Sequence, residues 1–194
     1  MATTLRVFLA LSLPPDERRG IRAATAPMRT VAPDMAWVVE DNLHLTLKFL
    51  GPRLPPAVEA LRDALAPVIA RAVPVALEIG GLGAFPNLRA PRVVWLGVVA
   101  EARLELMHHD IETVCSGLGY EMEGRTFRPH ITLGRSRAPG GLAKATARAL
   151  ADAARAVHYA ARVQAGSLEI MASEPATLGA VYRRLASLAM KGER

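Results

Sequence analysis

The chain has 194 residues, is 51% hydrophobic and 22% charged, and carries a net charge of +6. That balance excludes a disordered chain, and the length allows one large domain or two small packed lobes. A single cysteine excludes an internal disulfide, and an isoelectric point near 10.2 favours anionic partners without naming one.

Leu5 to Leu13 reads as a buried strand, apolar apart from Arg6 and Ser12. Pro14 and Pro15 stop it. Asp16 to about Met28 reads as a helix, with an acidic residue near its start. A loop with Pro33 and Asp34 leads to Met35–Val39 and then to a strand over Leu43–Leu50, which Gly51-Pro52 breaks. Val58, Leu61, Leu65, Val68 and Ile69 mark a helix from Pro56 to about Ala72. Val75–Ile79 is a strand, Gly80, Gly81 and Gly83 are a flexible join, and Phe85-Pro86-Asn87 is a turn. Arg92–Val99 is an apolar strand containing Trp95. Glu101–Leu118 carries Leu104, Met107, Ile111 and Val114 at helical spacing, and Gly119 is its stop. Cys115, inside that helix, reads as a small buried hydrophobe. A strand over Phe127–Arg135, a loop at Pro139-Gly140-Gly141 and an Ala-rich helix over Leu142–Val157 follow. Val163–Ala172 and Ala180–Leu188 close the chain as strands. Strand and helix recur in similar order, which predicts an α+β fold. Two lobes related by a rough duplication, with antiparallel sheets flanked by helices, form one domain over residues 1–194. The run from Val7 to Pro14 is too short to span a membrane, and no signal-peptide series opens the chain, so the cytoplasm is the expected compartment.

Two of the strands carry the same short pattern. His44-Leu45-Thr46-Leu47 and His130-Ile131-Thr132-Leu133 both read His, apolar, Thr, apolar. Side chains of an extended strand alternate faces, so each His and Thr point one way and the two apolar residues point into a core. Two such strands side by side aim two imidazoles and two hydroxyls at one point. An imidazole has a reference pKa of about 6.5, so one ring can accept a proton while the other gives one. Threonine hydroxyls can donate to phosphate oxygens, on which charge builds during in-line attack. No carboxylate or amine stands beside either threonine to make it a nucleophile. The pattern therefore predicts phosphodiester chemistry by His44 and His130, with Thr46 and Thr132 holding the phosphate and no metal or other cofactor. The symmetry of the pair leaves donor and acceptor unassigned.

Strict alternation places Lys48 beside His44 and Thr46, and Arg128 beside His130 and Thr132; each is either a phosphate contact or a solvated cation. Arg135 falls on the opposite face unless the strand bulges. Arg6, a charge in an apolar strand, either lines the cleft or forms a salt bridge. Trp37 and Phe49 are candidate base-stacking surfaces, although alternation sends Phe49 into the core. His108-His109-Asp110 are consecutive on a predicted helix and face different directions, so they do not form a metal site. His158 has no companion and reads as a surface or strand residue.

His44-Leu-Thr-Leu-Lys-Phe-Leu-Gly51 and Phe127-Arg-Pro-His-Ile-Thr-Leu-Gly-Arg135 resemble the two signatures of the 2H phosphoesterase superfamily, most closely its LigT-like branch of RNA 2′,3′-cyclic phosphodiesterases. Arg6-Val-Phe8, Trp37, Gly83-Ala-Phe-Pro86, Pro91-Arg-Val-Val-Trp-Leu-Gly97, Ser173 and Tyr182 match that branch in order. The resemblance implies a bilobal fold with a central active-site cleft. It implies hydrolysis of a terminal 2′,3′-cyclic phosphate on RNA, or on a nucleotide, to a 2′-phosphomonoester without metal. By that likeness His44 is the proton donor to the leaving 3′ oxygen, His130 is the base that activates water, and Thr46 and Thr132 bind the phosphate. Some relatives also join RNA through a 2′–5′ linkage. A compact two-lobed domain can work as a monomer without a protein partner. The alternatives are a module that binds a nucleotide or RNA end without turnover, and a metal hydrolase with the two histidines as ligands. Neither motif contains a carboxylate for the latter.

Overall fold

Val7 to Leu11 form a run of five apolar side chains, each 3% exposed or less, in the middle of strand β1 (Leu5–Ser12). A strand buried on both sides belongs inside a sheet. β1 is flanked by β3 (His44–Arg53) and β8 (Ser167–Ala176), both antiparallel to it, and β9 (Gly179–Ala189) pairs with β8. A second set of strands forms around β4 (Val75–Phe85), which lies between β5 (Val93–Val98) and β7 (Ala160–Ala165). β5 pairs with β6 (His130–Ser136), whose far end also pairs with β2 (Met35–Trp37). The computed structural model describes residues 4–176 and 179–192.

The strand order is β7-β4-β5-β6-β3-β1-β8-β9, so the two sets form one sheet with the motif strands β6 and β3 innermost. Those two strands touch through a single register pair, Leu45 with Ile131. Each set is antiparallel and four strands wide, and helices pack against the sheet, as the α+β expectation requires. The two sets are not the two halves of the chain. β1 and β3 are completed by β8 and β9 from the C-terminal end, while β4 to β7 form the other set.

Among the described residues, five α-helices connect the strands: α1 (Pro15–Ala24), α2 (Ala26–Val31), α3 (Pro55–Arg71), α4 (Ala102–Gly117) and α5 (Lys144–Arg155). α3 buries Leu61, Leu65 and Ile69 and α4 buries Leu104, Met107, Ile111 and Cys115, the i, i+3/i+4 stripe of a core-facing helix. None is long and apolar enough to cross a membrane.

Four of the boundaries that differ from the sequence reading change the fold. The helix expected over Asp16–Met28 is two helices, because Pro27 lacks an N–H and its ring clashes with the carbonyl four residues back. Thr25 caps the break, its N–H meeting the Ile21 and Ala23 carbonyls. β3 does not stop at Gly51-Pro52; Gly51 takes a φ of +74°, which glycine tolerates, and pairing continues to Arg53. The glycines at 80–83 are strand rather than join. A Cβ on Gly83 would lie 2.3 Å from the Trp95 ring, so glycine is there to admit the indole. The strand expected over Val163–Ala172 divides at Gly166 into β7 and β8, which lie in different sets.

Candidate active site

The register of the motif strands decides which side chains meet. Along β3, Leu45 pairs with Leu11, Thr46 with Ala10 and Lys48 with Leu9, leaving Leu47 as an extra residue. Along β6, Ile131 pairs with Leu96, Thr132 with Trp95 and Gly134 with Val94, leaving Leu133 extra. Both strands thus bulge directly after the motif threonine. A bulge puts two residues opposite one and reverses the faces beyond it.

Three expectations from strict alternation are corrected by these bulges. Lys48 does not share a face with His44; it is 4% exposed and points behind the strand, where both Glu112 carboxylate oxygens lie 2.8 Å from its ammonium. Phe49 is not core but 65% exposed, on the cleft side 6.0 Å from the Phe8 ring. Arg135, the counterpart of Phe49 on β6, lies in the cleft wall. Arg128 precedes the start of β6 and its side chain is exposed, so the alternation argument does not reach it.

His44, Thr46, Thr132 and Arg135 line one cavity of about 780 Å³ together with Arg6, Phe8, Trp37, Phe49, Ser173 and Tyr182. Arg6 therefore faces the cleft. Trp37 is committed to structure on one side: its Nε1–H donates to the Ala32 carbonyl at 2.8 Å, and a Cβ on Gly134 would come within 2.9 Å of its ring. His130 stands two residues from Thr132 on the same strand, outside the cavity wall proper. A charge on it is felt at His44. A second cavity of about 510 Å³, between α3 and α4, contains no motif residue.

The two imidazoles are held in the same way. Nδ1–H of His44 donates to the Asn42 carbonyl at 2.6 Å, and Nδ1–H of His130 donates to the Arg128 carbonyl at 2.7 Å. Each acceptor lies two residues before its histidine. A proton fixed on Nδ1 leaves Nε2 of the neutral ring as the basic nitrogen. The Thr46 hydroxyl donates to Nε2 of His44 across 3.0 Å. Aromatic rings fix the orientations: Phe8 stacks on His44 at 5.0 Å and Tyr182 meets its edge at 5.3 Å, while Phe85 and Trp95 lie 5.2 and 6.0 Å from His130.

Burial pushes the His44 pKa down to about 4, a hydrogen bond to the Asn42 backbone partly restores it, and the charges of Arg135 and His130 lower it further. His44 is therefore neutral at pH 7.

Among the described residues, His108, Glu112 and Glu123 place ligand-type atoms within 4.8 Å of one another. The Lys48 ammonium already occupies the position on Glu112 that a cation would take. Sequence reasoning names Phe8, Phe85, Trp95 and Tyr182 only as family matches, without placing them against the histidines, and makes the place of Arg135 depend on a bulge that the structure supplies. Gly134, a glycine inside an otherwise regular strand, is the available signal for the second bulge.

The sequence model of the 2′-5′ RNA ligase superfamily matches residues 15–175. A Geobacillus stearothermophilus protein named RNA 2′,3′-cyclic phosphodiesterase is 36% identical over 128 residues, covering 66% of this chain and 41% of the relative. The chain thus spans under half the length of that relative. One of the same name from Aeropyrum pernix is 31% identical over 154 residues, 79% of this chain and 78% of the relative. Among solved structures, a Thermus thermophilus protein superposes with a TM-score of 0.79 at 25% identity, covering 97% of this chain and 100% of that one. E. coli LigT complexed with 3′-AMP superposes with a TM-score of 0.70 at 26% identity, covering 96% and 98%.

Proposed function

The chain belongs to the 2′-5′ RNA ligase superfamily, and from that membership we propose that it is a phosphoric diester hydrolase that opens the 2′,3′-cyclic phosphate at an RNA or nucleotide end. The observation that carries the reading is the matched pair of motif strands. Each presents an imidazole with its Nδ1 proton tied to the carbonyl two residues earlier, and each bulges after its threonine.

The reaction needs a base, an acid and anion donors on one phosphorus atom. Nε2 of His130 takes a proton from water as its oxygen attacks phosphorus in line. The bond from phosphorus to the 3′ oxygen breaks, and His44 delivers a proton to that oxygen, leaving a 2′-phosphomonoester. Burial holds His44 neutral, and the negative phosphate of a substrate beside it raises its proton affinity. Thr46 and Thr132 donate to the non-bridging oxygens, with the Thr46 hydroxyl turning from His44 to the phosphate. Arg135 and Arg6 supply positive charge from the cavity wall. The exposed Phe49 ring is a stacking face for a base. No step calls for a metal, and turnover should persist in chelator.

A cleft built this way also suits the joining of RNA through a 2′–5′ linkage, in which a 5′ hydroxyl attacks phosphorus in place of water and the 3′ oxygen leaves as before. The competing reading is a module that holds an RNA end without turnover. Both are tested by incubating the protein with an oligonucleotide ending in a 2′,3′-cyclic phosphate and following phosphorus by NMR. A 2′-monoester product supports the hydrolase. Saturable binding with the cyclic phosphate intact would replace it with the binding module. We further propose a monomer acting in the cytoplasm, read out by sedimentation and by cell fractionation.

A further inference from the structure

We propose that the buried Lys48–Glu112 pair is a positioning device that ties the approach to the second histidine onto the strand of the first; this rests on the function proposed above. Residues 120–129, which lead into His130, have no helix or strand of their own. Backbone without a ladder needs other partners to hold one position.

The ends of the run are held by backbone, the Tyr120 N–H donating to the Cys115 carbonyl and the Pro129 carbonyl accepting from Val98; the ties between them run to one cluster behind β3. The Lys48 ammonium, 4% exposed, lies 2.8 Å from both Glu112 oxygens and 2.8 Å from the Glu121 carbonyl, which uses all three of its hydrogens. Oε2 of Glu112 also accepts the Glu123 N–H at 3.1 Å. His108 lies one turn before Glu112 on α4, and its ring stacks on Phe127 with centroids 4.0 Å apart and planes within 11°. Phe127 opens the run to His130, and the next carbonyl, on Arg128, is the one that orients the His130 ring. A single salt bridge therefore connects β3, α4 and the segment that aims the second imidazole. Lys48 lies two residues beyond Thr46 and touches neither the cleft nor a substrate; it acts through His130.

Apolar packing alone would fill this space, but it lacks direction. One ammonium hydrogen fixes where Glu121 sits and one carboxylate oxygen fixes where Glu123 sits, and those fix the start of the run to His130. Misplacement of a catalytic group by about 1 Å can cost on the order of a hundredfold in rate.

Removing one partner strands the other as a buried charge, and such a variant can fail to fold. The test therefore uses the double variant K48M/E112L, with a thermal melt to establish that it folds. Hydrogen exchange is read over 120–129 and over β1. Turnover of a dinucleotide ending in a cyclic phosphate is measured in the double variant, in H130A, and in all three substitutions together. The proposal predicts faster exchange over 120–129 with β1 unchanged, and a kcat about tenfold to a hundredfold lower with little change in KM. It also predicts that, once His130 is absent, removing the pair costs less than a further twofold. Parent-like exchange over 120–129 in the folded double variant would overturn it. So would an equal loss with and without His130, which is the mark of a merely structural pair. If the parent turns nothing over, the functional reading fails, and the exchange measurement still decides whether the pair holds the segment.

Discussion

His44 is the residue on which the proposed chemistry and the stability of the fold meet. Its ring is packed between Phe8 and Tyr182, tied at Nδ1 to the Asn42 carbonyl, and held neutral down to about pH 4 chiefly by burial. An unfolded chain binds a proton at the same residue near pH 6.5. Between those values acid favours the unfolded state, because that state binds a proton the folded one refuses. Stability should therefore fall as pH drops from about 6.5 toward 4, and His44→Gln should flatten the fall. Urea midpoints across that range measure it, and parallel curves for the two proteins would refute it. Phe49 tests the cleft from its other wall. The ring is largely exposed, so Phe49→Ala should change stability by no more than about 0.5 kcal/mol. If the ring stacks a base, worth about 1–3 kcal/mol, the same change should raise KM for a nucleotide substrate by roughly tenfold. An unchanged KM would remove Phe49 from the binding surface.

At the scale of the element, the decisive feature is the extra residue directly after the threonine of each motif strand. Leu47 and Leu133 have no counterparts on β1 and β5, and that one-residue slip carries Lys48 to the back of β3 and brings Phe49 and Arg135 to the front. Alternation read from sequence brings His44, Thr46 and Thr132 to one cleft, since each precedes its strand's bulge. It fails from the next residue onward, because a bulge depends on the partner strand and leaves little local mark. The glycines of β4 follow the same logic. Gly80, Gly81 and Gly83 read locally as a hinge, but the deciding contact is with Trp95 on β5. Gly83→Ala should therefore cost about 1–3 kcal/mol through overpacking, measured by denaturant unfolding. A variant as stable as the parent would mean that the indole has room to move.

Across the whole molecule, chain order and spatial order part company. The helices and most strands are evident from periodicity and from Pro and Gly punctuation. The topology is not, because β1 and β3 are completed by strands more than a hundred residues later in the chain. What sequence does convey is the repeat itself. Its meaning becomes spatial once β3 and β6 are innermost and joined at Leu45 and Ile131. Both imidazoles are proposed to act on one phosphorus atom. The most direct measurement is turnover of an RNA ending in a 2′,3′-cyclic phosphate by the parent, by His44→Ala, by His130→Ala and by the double variant, all shown to be folded by their melts. Groups that act as a unit are not additive. Each single change should cost about 10²–10⁴-fold, and the double change little more than the worse of the two. Parent-like turnover in either folded single variant, or losses that simply multiply in the double, would contradict the account.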